Sequence, residues 1–268
     1  MDSSCYYYEE VYTERGNLDP SIDCTYVLIM HDSPRKQQIY QNVMKSHLTT
    51  NVIFQYNYGY KKCDKLLRRR GPNYDLEHAV KTIFRNALSR GYSRILVLED
   101  DCQFDERITN EEVVKDLNSF LLEKNPSIYN LGPTFSLSSP FDILSGNKHH
   151  FLLYNNAAHA MVYNEKYMRY MLNNEFLGGH VDLETNRHFS KYTYHVPLAY
   201  QLVEKTENAT YGWGSVWPLV DTFLVKPSGI DKDVQPGYDV LKSMSDYVSF
   251  VLCLFLILSI IKASFFTK

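Results

Sequence analysis

The sequence predicts an α/β fold with a mainly parallel sheet flanked by helices, followed by a C-terminal transmembrane helix. In the first half of the chain, short runs of Ile, Leu and Val alternate with longer segments of helical periodicity, and a largely uncharged apolar segment lies near the C-terminal end. Strands that alternate with helices build parallel sheets through right-handed crossovers. The 268 residues are sufficient for one large domain of this class and a tail.

The individual elements follow from local patterns. Segments rich in branched apolar residues are predicted strands: 23–31, 51–58, 94–101 and 127–132. Segments whose apolar residues recur at helical spacing are predicted helices: 33–48, 74–91, 110–125 and 164–174. Ser33 suits the N-cap of the first helix with Pro34 at its first position, and Gly91 suits the end of the second. Beyond residue 132 the alternation is less regular.

The chain divides into four predicted parts: an arm at 1–22, a domain at 23–228 with halves 23–131 and 132–228, a linker at 229–246 and a transmembrane segment at 247–266. The arm is polar, acidic and rich in tyrosine, which predicts a flexible segment and not a secretory signal. The linker is rich in Pro, Gly and Asp.

The apolar segment Tyr247–Phe266 has no polar face, which favours a membrane span over a buried core helix. Twenty helical residues cross about 30 Å of hydrocarbon, and Lys262 can extend its charge to the headgroups. Because no signal opens the chain, we expect the domain to lie in the cytosol. Lys262 and Lys268, which follow the uncharged run that ends at Ile261, favour the opposite orientation, and the sequon at Asn208 provides a test.

Charge and cysteine content restrict the partners and the compartment. The formal net charge of -3 gives no general case for nucleic-acid binding. The five cysteines are scattered and lack metal-type spacing. This pattern predicts a reducing compartment and no disulfide framework.

The third predicted strand ends in three consecutive acids, Glu99, Asp100 and Asp101, within the stretch RILVLEDDCQFD. The carboxyl edge of an open α/β sheet binds ligands, and adjacent carboxylates repel one another unless a cation, donors or a raised pKa relieves them. The sequence contains no GxGxxG or GxxxxGK[ST] loop to hold phosphates. Two carboxylates one residue apart can instead share a hard divalent cation that binds a diphosphate. The structural alternative is a solvated strand end, with Asp105 as a helix cap.

Residues 75–105, DLEHAVKTIFRNALSRGYSRILVLEDDCQFD, resemble the glycosyltransferase segment of the family 25 type, in which a helix precedes a strand ending in L-E-D-D. Further stretches are similar to that family in the same order: 26–43, 128–132, 157–168, 180–186 and 196–213. The family includes lipopolysaccharide and collagen sugar transferases and related proteins of large DNA viruses. The resemblance implies a GT-A type fold, a UDP-sugar donor, Mn²⁺ or a similar ion, and inversion at the sugar carbon. Because Glu99 replaces the first Asp of a strict D-x-D motif, either Glu99 or Asp100 could meet the metal together with Asp101.

Other residues are candidates for the remaining roles in such a site. An inverting transfer needs a base, for which Asp182 is the first candidate and Glu184 the second, with helix capping as the alternative for Asp182. His195 and His180 are candidate third metal ligands, since imidazole can complete a carboxylate site. His159 is expected either to line the sugar pocket or to pack in the core.

Two residues after the first strand are candidates for nucleotide binding. Asp32 could hydrogen-bond the ribose and Arg35 a phosphate, although both could cap the next helix. Trp213 and Trp217 could stack on an acceptor sugar or close the core. The expected partners are therefore a nucleotide-sugar donor, a glycan or glycoprotein acceptor, and a membrane.

Two other classes of protein fit parts of the pattern. A phosphorelay receiver domain also ends an early strand in acids that hold Mg²⁺, but the expected phospho-accepting Asp in a D-x-x-M-P setting is missing from the sequence. A membrane-tethered sugar-binding or scaffold protein would keep the fold without catalysis. A transfer assay with purified donor and metal distinguishes this third class from the enzyme.

Overall fold

The computed structural model describes residues 5–176, 179–187, 190–202, 221–230, 232 and 234–266. Its strands are β1 (Tyr6–Tyr12), β2 (Cys24–Met30), β3 (Asn51–Asn57), β4 (Arg94–Glu99), β5 (Cys102–Phe104), β6 (Ile128–Asn130), β7 (Ser136–Ser138), β8 (His149–Asn155), β9 (Ala160–Asn164), β10 (Lys191–Tyr194) and β11 (Ala199–Gln201). Its helices are α1 (Lys36–Ser46), α2 (Gly59–Lys62), α3 (Pro72–Ser89), α4 (Glu111–Lys124), α5 (Pro140–Ser145), α6 (Glu165–Asn173), α7 (Val181–Thr185), α8 (Lys226–Ser228) and α9 (Val234–Phe266). The sequon at Asn208 and the predicted stacking residues Trp213 and Trp217 lie outside the described ranges.

Nine strands form one sheet in the order β1-β3-β2-β4-β9-β6-β10-β8-β7, and β5 pairs separately with β11. Neighbours are parallel within β3-β2-β4 and between β6 and β10, and the other pairs are antiparallel. The sheet is therefore mixed, which corrects the expectation of a mainly parallel one. The physical reason is that β9 enters between β4 and β6 in the opposite direction, and the β7-β8 hairpin forms one edge.

Helices cover both faces of the sheet, as the α/β class predicts. Side chains of a strand alternate between faces. Val27 and Ile29 of β2 belong to a core with residues of α1 and α4, whereas Tyr26 and Leu28 belong to a second core with residues of α3 and α6. The central strands are consequently buried on both sides, which explains their continuous apolar sequence.

Residues Tyr6–Tyr12, inside the segment expected to be a flexible arm, form an edge strand. Strand β1 pairs with β3 over its whole length, and its tyrosines and Val11 are residue types that favour strands. Cys5, just before β1, forms a disulfide with Cys63, with the two Cα atoms 5.7 Å apart. The expectation of no disulfide is therefore wrong, because spacing along a chain does not show which cysteines meet in space.

Helix α9 begins inside the segment expected to be a linker. Gln235 has extended backbone angles, so the regular helix starts after it. Tyr238, Leu241 and Ser245 are buried against the domain, whereas the apolar residues from Leu254 to Ala263 are exposed. Within the described part of the chain, Val234–Ala263 is the one helix long and apolar enough to cross a membrane, by length and composition.

Candidate active site at the carboxyl edge of the sheet

Among the described residues, five strands end at the same edge of the sheet, because β2, β3, β4, β6 and β10 run in the same direction. Strand β4 ends at Glu99, which lies beside Leu28 of β2. The chain then turns at Asp100 and Asp101 into β5, which pairs with β11. The three acids of the sequence motif therefore lie where open α/β sheets bind their ligands.

Asp101 is the most buried of these acids, with 3% of its surface exposed. Its Oδ2 accepts a hydrogen bond from Gln201 Nε2 at 2.8 Å. Its Oδ1 is buried and has no hydrogen-bond partner among the described residues. Burial raises the pKa of Asp101 to about 6, with the Gln201 hydrogen bond lowering it and the Asp100 charge raising it. A buried carboxylate oxygen of this kind is costly unless a cation or a donor binds it.

Asp100 forms an ion pair with Arg35, which lies just before α1. Arg35 Nη2 and Asp100 Oδ1 are 2.8 Å apart, and both side chains are largely buried. Asp100 Oδ2 is also buried without a hydrogen-bond partner in the described part of the chain. The cluster thus presents two unpaired carboxylate oxygens, one from Asp100 and one from Asp101, next to a single guanidinium group.

Glu99 is the acid on which the charges of the three neighbouring aspartates act. Its backbone N–H donates to the carbonyl oxygen of His159 at 2.9 Å, which fixes the end of β4 against the residue before β9. Burial raises the pKa of Glu99 well above its usual value, and the charges of Asp101, Asp182 and Asp100 raise it further. Asp182 therefore lies close enough to interact with the cluster although it is distant in sequence.

Helix α7 carries both candidates for the base and gives them different environments. Asp182 is partly exposed and acts on the pKa of Glu99. Glu184 is fully buried, with its carboxylate 3.3 Å from Nη1 of Arg187. A base must reach an acceptor that enters from solvent. The position of Asp182 meets this requirement better than that of Glu184.

Three asparagines that the sequence analysis missed hold α7 against the sheet. Asn155 N donates to Asn186 Oδ1 at 2.7 Å, and Asn186 Nδ2 donates to the Asn155 carbonyl at 2.7 Å. Asn130 Nδ2 donates to Asn155 Oδ1 at 2.8 Å, and both of these side chains are fully buried. Asn130 has a sequence signal as a polar residue inside the apolar segment SIYNLG, whereas Asn186 lies in the polar stretch ETNRHF and has none.

Two further residues position the partner of Asp101. Tyr238 Oη of α9 accepts a hydrogen bond from the backbone N–H of Gln201 at 2.9 Å. Gly132 allows β11 to approach the loop after β6, since a Cβ at Gly132 would lie 1.7 Å from the carbonyl oxygen of Ala199. Both contacts place Gln201 against Asp101, and neither is visible in the sequence because the segments are far apart.

The structure does not bring His195 to the acidic cluster. His195 follows β10, which lies three positions from β4 in the sheet, or about 14 Å at roughly 4.8 Å per strand. Its ring packs on Tyr194 with centroids 4.7 Å apart, and the nearby charges that act on it include those of Lys242 and Lys148. The metal role predicted for His195 receives no support from this position.

The other predicted residues lie at the margin of the site. Asp32 is exposed and pairs with Lys62 at 2.7 Å. His180 is the N-cap residue of α7, and its Nε2 lies 3.3 Å from Asn73 Nδ2. His159 is fully buried, and burial lowers its pKa to about 3, so its imidazole is neutral at physiological pH.

Within the described ranges, no group of three or more His, Cys, Asp or Glu side chains is arranged to hold a metal ion. The acidic cluster offers carboxylate pairs instead. Hard cations such as Mg²⁺ are commonly held by one or two carboxylates, with substrate phosphates and water as the other ligands. The arrangement can therefore bind a cation together with a phosphorylated ligand.

No protein-family model matches the chain, and no curated protein sequence matches it. Two solved structures align with it over 68% of its length at a TM-score of 0.40. One is A197 from STIV, at 11% identity over 86% of that chain. The other is a glycosyltransferase involved in the glycosylation of the major capsid of PBCV-1, at 10% identity over 95% of that chain. At this level of similarity, the functional argument depends on the geometry of the site.

Proposed function

We propose that this chain is a membrane-anchored glycosyltransferase that transfers a sugar from a nucleotide-sugar donor to a glycan or glycoprotein acceptor. The observation that carries the proposal is the pair of buried, unpartnered carboxylate oxygens on Asp100 and Asp101 at the carboxyl edge of the sheet. A carboxylate oxygen that is buried without a hydrogen-bond partner at a ligand-binding edge is a candidate ligand for a cation. The resemblance of residues 75–105 to the family 25 glycosyltransferases agrees with this interpretation.

The residues present fit a hard divalent cation such as Mn²⁺. Asp101, with Glu99 or Asp100, supplies oxygen ligands, and Arg35 supplies a positive charge for a phosphate of the donor. When bound, the ion stabilises the negative charge that develops on the leaving nucleoside diphosphate. Asp32 remains a candidate ribose ligand, although its pairing with Lys62 and its exposure place it outside the buried cluster.

Asp182 acts as the base in the proposed reaction. The acceptor hydroxyl oxygen bonds to the anomeric carbon while the bond from that carbon to the diphosphate breaks and the diphosphate leaves with the electron pair. The hydroxyl proton passes to the carboxylate of Asp182. Attack from the face opposite the leaving group inverts the configuration at the anomeric carbon.

The anchor in this proposal is the exposed part of α9. We also propose that the domain lies in an oxidising compartment, opposite to the cytosolic placement expected from the N-terminal sequence. The disulfide between Cys5 and Cys63 supports that side, since such bonds persist in oxidising compartments. Lys262 and Lys268, which follow the uncharged run that ends at Ile261, agree with a cytosolic C terminus.

A donor-hydrolysis screen of the full chain in detergent tests the proposal. Several UDP- and GDP-sugars are supplied with Mn²⁺ or with EDTA, and Asp101→Asn is compared with the exposed control Asp64→Asn. We expect hydrolysis of one donor with Mn²⁺, its loss in EDTA and in Asp101→Asn, and no change in Asp64→Asn. Full activity in EDTA would contradict the metal role. Donor binding without transfer to any acceptor would favour the sugar-binding or scaffold class.

A further inference from the structure

We infer that helix α5 inserts into the lipid bilayer beside α9 through its two exposed apolar side chains, Phe141 and Leu144. The inference rests on the proposed membrane anchor and extends the contact from one helix to a face of the domain. Phe141 is 77% exposed and Leu144 is 68% exposed. Residues three apart in a helix lie on the same side, so the two side chains form one apolar face.

Helix α9 runs alongside the edge strand β7. Ser245 Oγ and Ser249 Oγ of α9 accept hydrogen bonds from the backbone N–H groups of Ser136 and Ser138, at 3.5 and 3.0 Å. Four helical residues advance about 6 Å and two strand residues about 6.6 Å. The two spacings match only when the helix and the strand are nearly parallel, and both run in the same direction.

This registry fixes the level along α9 at which α5 begins. Ser138 lies level with Ser249, and the chain continues from Ser138 through Ser139 directly into α5. Helix α5 then leads through a short loop into β8, which pairs antiparallel with β7. The helix therefore connects the two strands at the end of the hairpin that points toward the apolar half of α9.

The length of the apolar segment places Ser249, and with it the start of α5, at the boundary of the membrane. Tyr247–Phe266 is about 30 Å long as a helix, which equals the thickness of the hydrocarbon core. To span it, the segment must enter the hydrocarbon near Tyr247. Ser249 then lies about 3 Å inside that boundary, and α5 begins two residues after Ser138, which is bonded to Ser249. Interfacial helices bury their apolar faces to a comparable depth of about 5–10 Å.

The polar groups around α5 are compatible with this position. The Asp142 carboxylate accepts hydrogen bonds from Phe151 N at 2.9 Å and from Asn147 Nδ2 at 2.8 Å, so its charge is turned toward the protein. Lys148 follows the helix with its side chain 53% exposed, and its Nζ lies 3.9 Å from Oδ2 of the partly exposed Asp116. A lysine at this level can extend its ammonium group to lipid phosphates while α5 lies in the hydrocarbon boundary.

The test measures the water and lipid exposure of single labelled cysteines in the full chain in phosphatidylcholine vesicles. An environment-sensitive fluorophore is attached at Leu144→Cys, and separately at Phe141→Cys, in a Cys253→Ser background. The remaining cysteines are protected from labelling by burial or by the disulfide. The control is Tyr12→Cys, because Tyr12 is 68% exposed and lies on β1, at the opposite edge of the sheet from β7.

We expect both α5 labels to be quenched by spin-labelled lipid and to be quenched several-fold less by aqueous iodide than the Tyr12→Cys label. Equal iodide quenching at α5 and at Tyr12→Cys, in a chain that resists carbonate extraction, would overturn the inference and leave the anchor intact. Release of the chain by carbonate would overturn both. The α5 labels could instead be shielded from iodide without being quenched by spin-labelled lipid, and this shielding could disappear when the protein is diluted with more lipid. That result would show contact between two copies of the chain and would overturn the inference.

Discussion

Asp101 and Asp105 lie four residues apart and have opposite electrostatic environments. Burial raises the pKa of Asp101 to about 6. Burial also acts to raise the pKa of Asp105, but the hydrogen bonds from Arg107 outweigh this effect and hold the pKa below its usual value. The Arg107 guanidinium contacts both carboxylate oxygens of Asp105, at 2.6 and 2.7 Å. Asp105 is thus stabilised as an anion by the fold, and Asp101 is not.

We therefore expect Asp101→Asn to raise the Tm of the metal-free protein, whereas Asp105→Asn lowers it. The folded-state pKa of Asp101 is raised from 3.8, so ionised Asp101 costs stability progressively as pH rises from about 4 to about 6. Above both pKa values the cost is about 3 kcal/mol, from about 1.36 kcal/mol per pKa unit. The contribution of Asp105 has the opposite sign: it is present above the unfolded pKa and is lost as pH falls through the lowered folded pKa.

Thermal unfolding in EDTA at pH 7.5 and pH 4.5 measures both effects. The gain in Asp101→Asn should be larger at pH 7.5, and adding Mn²⁺ should raise the Tm of the unsubstituted chain but not that of Asp101→Asn. Equal destabilisation by the two substitutions at pH 7.5 would show that Asp101 has a partner that stabilises its charge.

Asp182→Asn is expected to lower the turnover rate about 100-fold or more without changing donor affinity, because a base acts in the transition state. Glu184→Gln is the matched comparison on the same helix. Since Glu184 is buried and paired with Arg187, this substitution should lower the Tm with a smaller effect on turnover. Steady-state kinetics and thermal unfolding of both variants separate the roles, and the reverse pattern would make Glu184 the base.

At the scale of elements, the first half of α9 is part of the domain and not of a linker. Tyr238 bonds the backbone of Gln201, and Ser245 and Ser249 cover the free edge of β7. An edge strand with unpaired N–H groups is prone to pair with other chains. The helix therefore supports the site and protects the sheet at the same time.

A chain that ends after Leu252 should keep the fold and the donor affinity, because it retains these contacts. A chain that ends after Lys232 should have a lower Tm, weaker donor binding and a greater tendency to aggregate. Tyr238→Phe should reproduce part of the loss, about 1–3 kcal/mol, since it leaves the Gln201 N–H buried without its acceptor. Thermal unfolding, donor titration and light scattering measure the three effects. If the two truncated chains have the same Tm, donor affinity and tendency to aggregate, residues 234–246 act only as a linker.

The sequence predicts those elements whose pattern is local. The strands β2, β3 and β4 and their helices are visible because continuous apolar runs and helical spacing each need only neighbouring residues. The direction of β9 is not visible in the sequence. Nothing within AAHAMVY indicates that this strand inserts between β4 and β6 and runs antiparallel to both of them. The site divides in the same way: the acids at 99–101 form a local motif, whereas Gln201 and Tyr238 reach Asp101 only through β11 and α9.

At the scale of the whole molecule, the proposed orientation leads to a prediction about modification. In a eukaryotic cell, the chain should gain an endoglycosidase-sensitive glycan that Asn208→Gln removes, because this sequon is glycosylated only in the lumen. Cys5 and Cys63 should resist alkylation until a reductant is added. Free thiols at both positions, together with an unglycosylated chain, would place the domain in the cytosol and contradict the proposal.

In the membrane-anchored enzyme proposed above, the continuity of α9 also sets the height of the site over the membrane. Tyr238, which bonds the backbone of Gln201, the hydrogen-bond partner of Asp101, lies about 14 Å along the helix from Tyr247, where the proposed span begins. With headgroups occupying about 5–7 Å on each side of a bilayer, roughly 8 Å remain between the lipid surface and the level of Tyr238. Acceptors attached to the same bilayer can therefore reach the site by lateral diffusion with a short stem. The proposed enzyme would then select its acceptors by the distance between the reacting hydroxyl and the membrane attachment of the acceptor, as well as by the chemistry of the sugar.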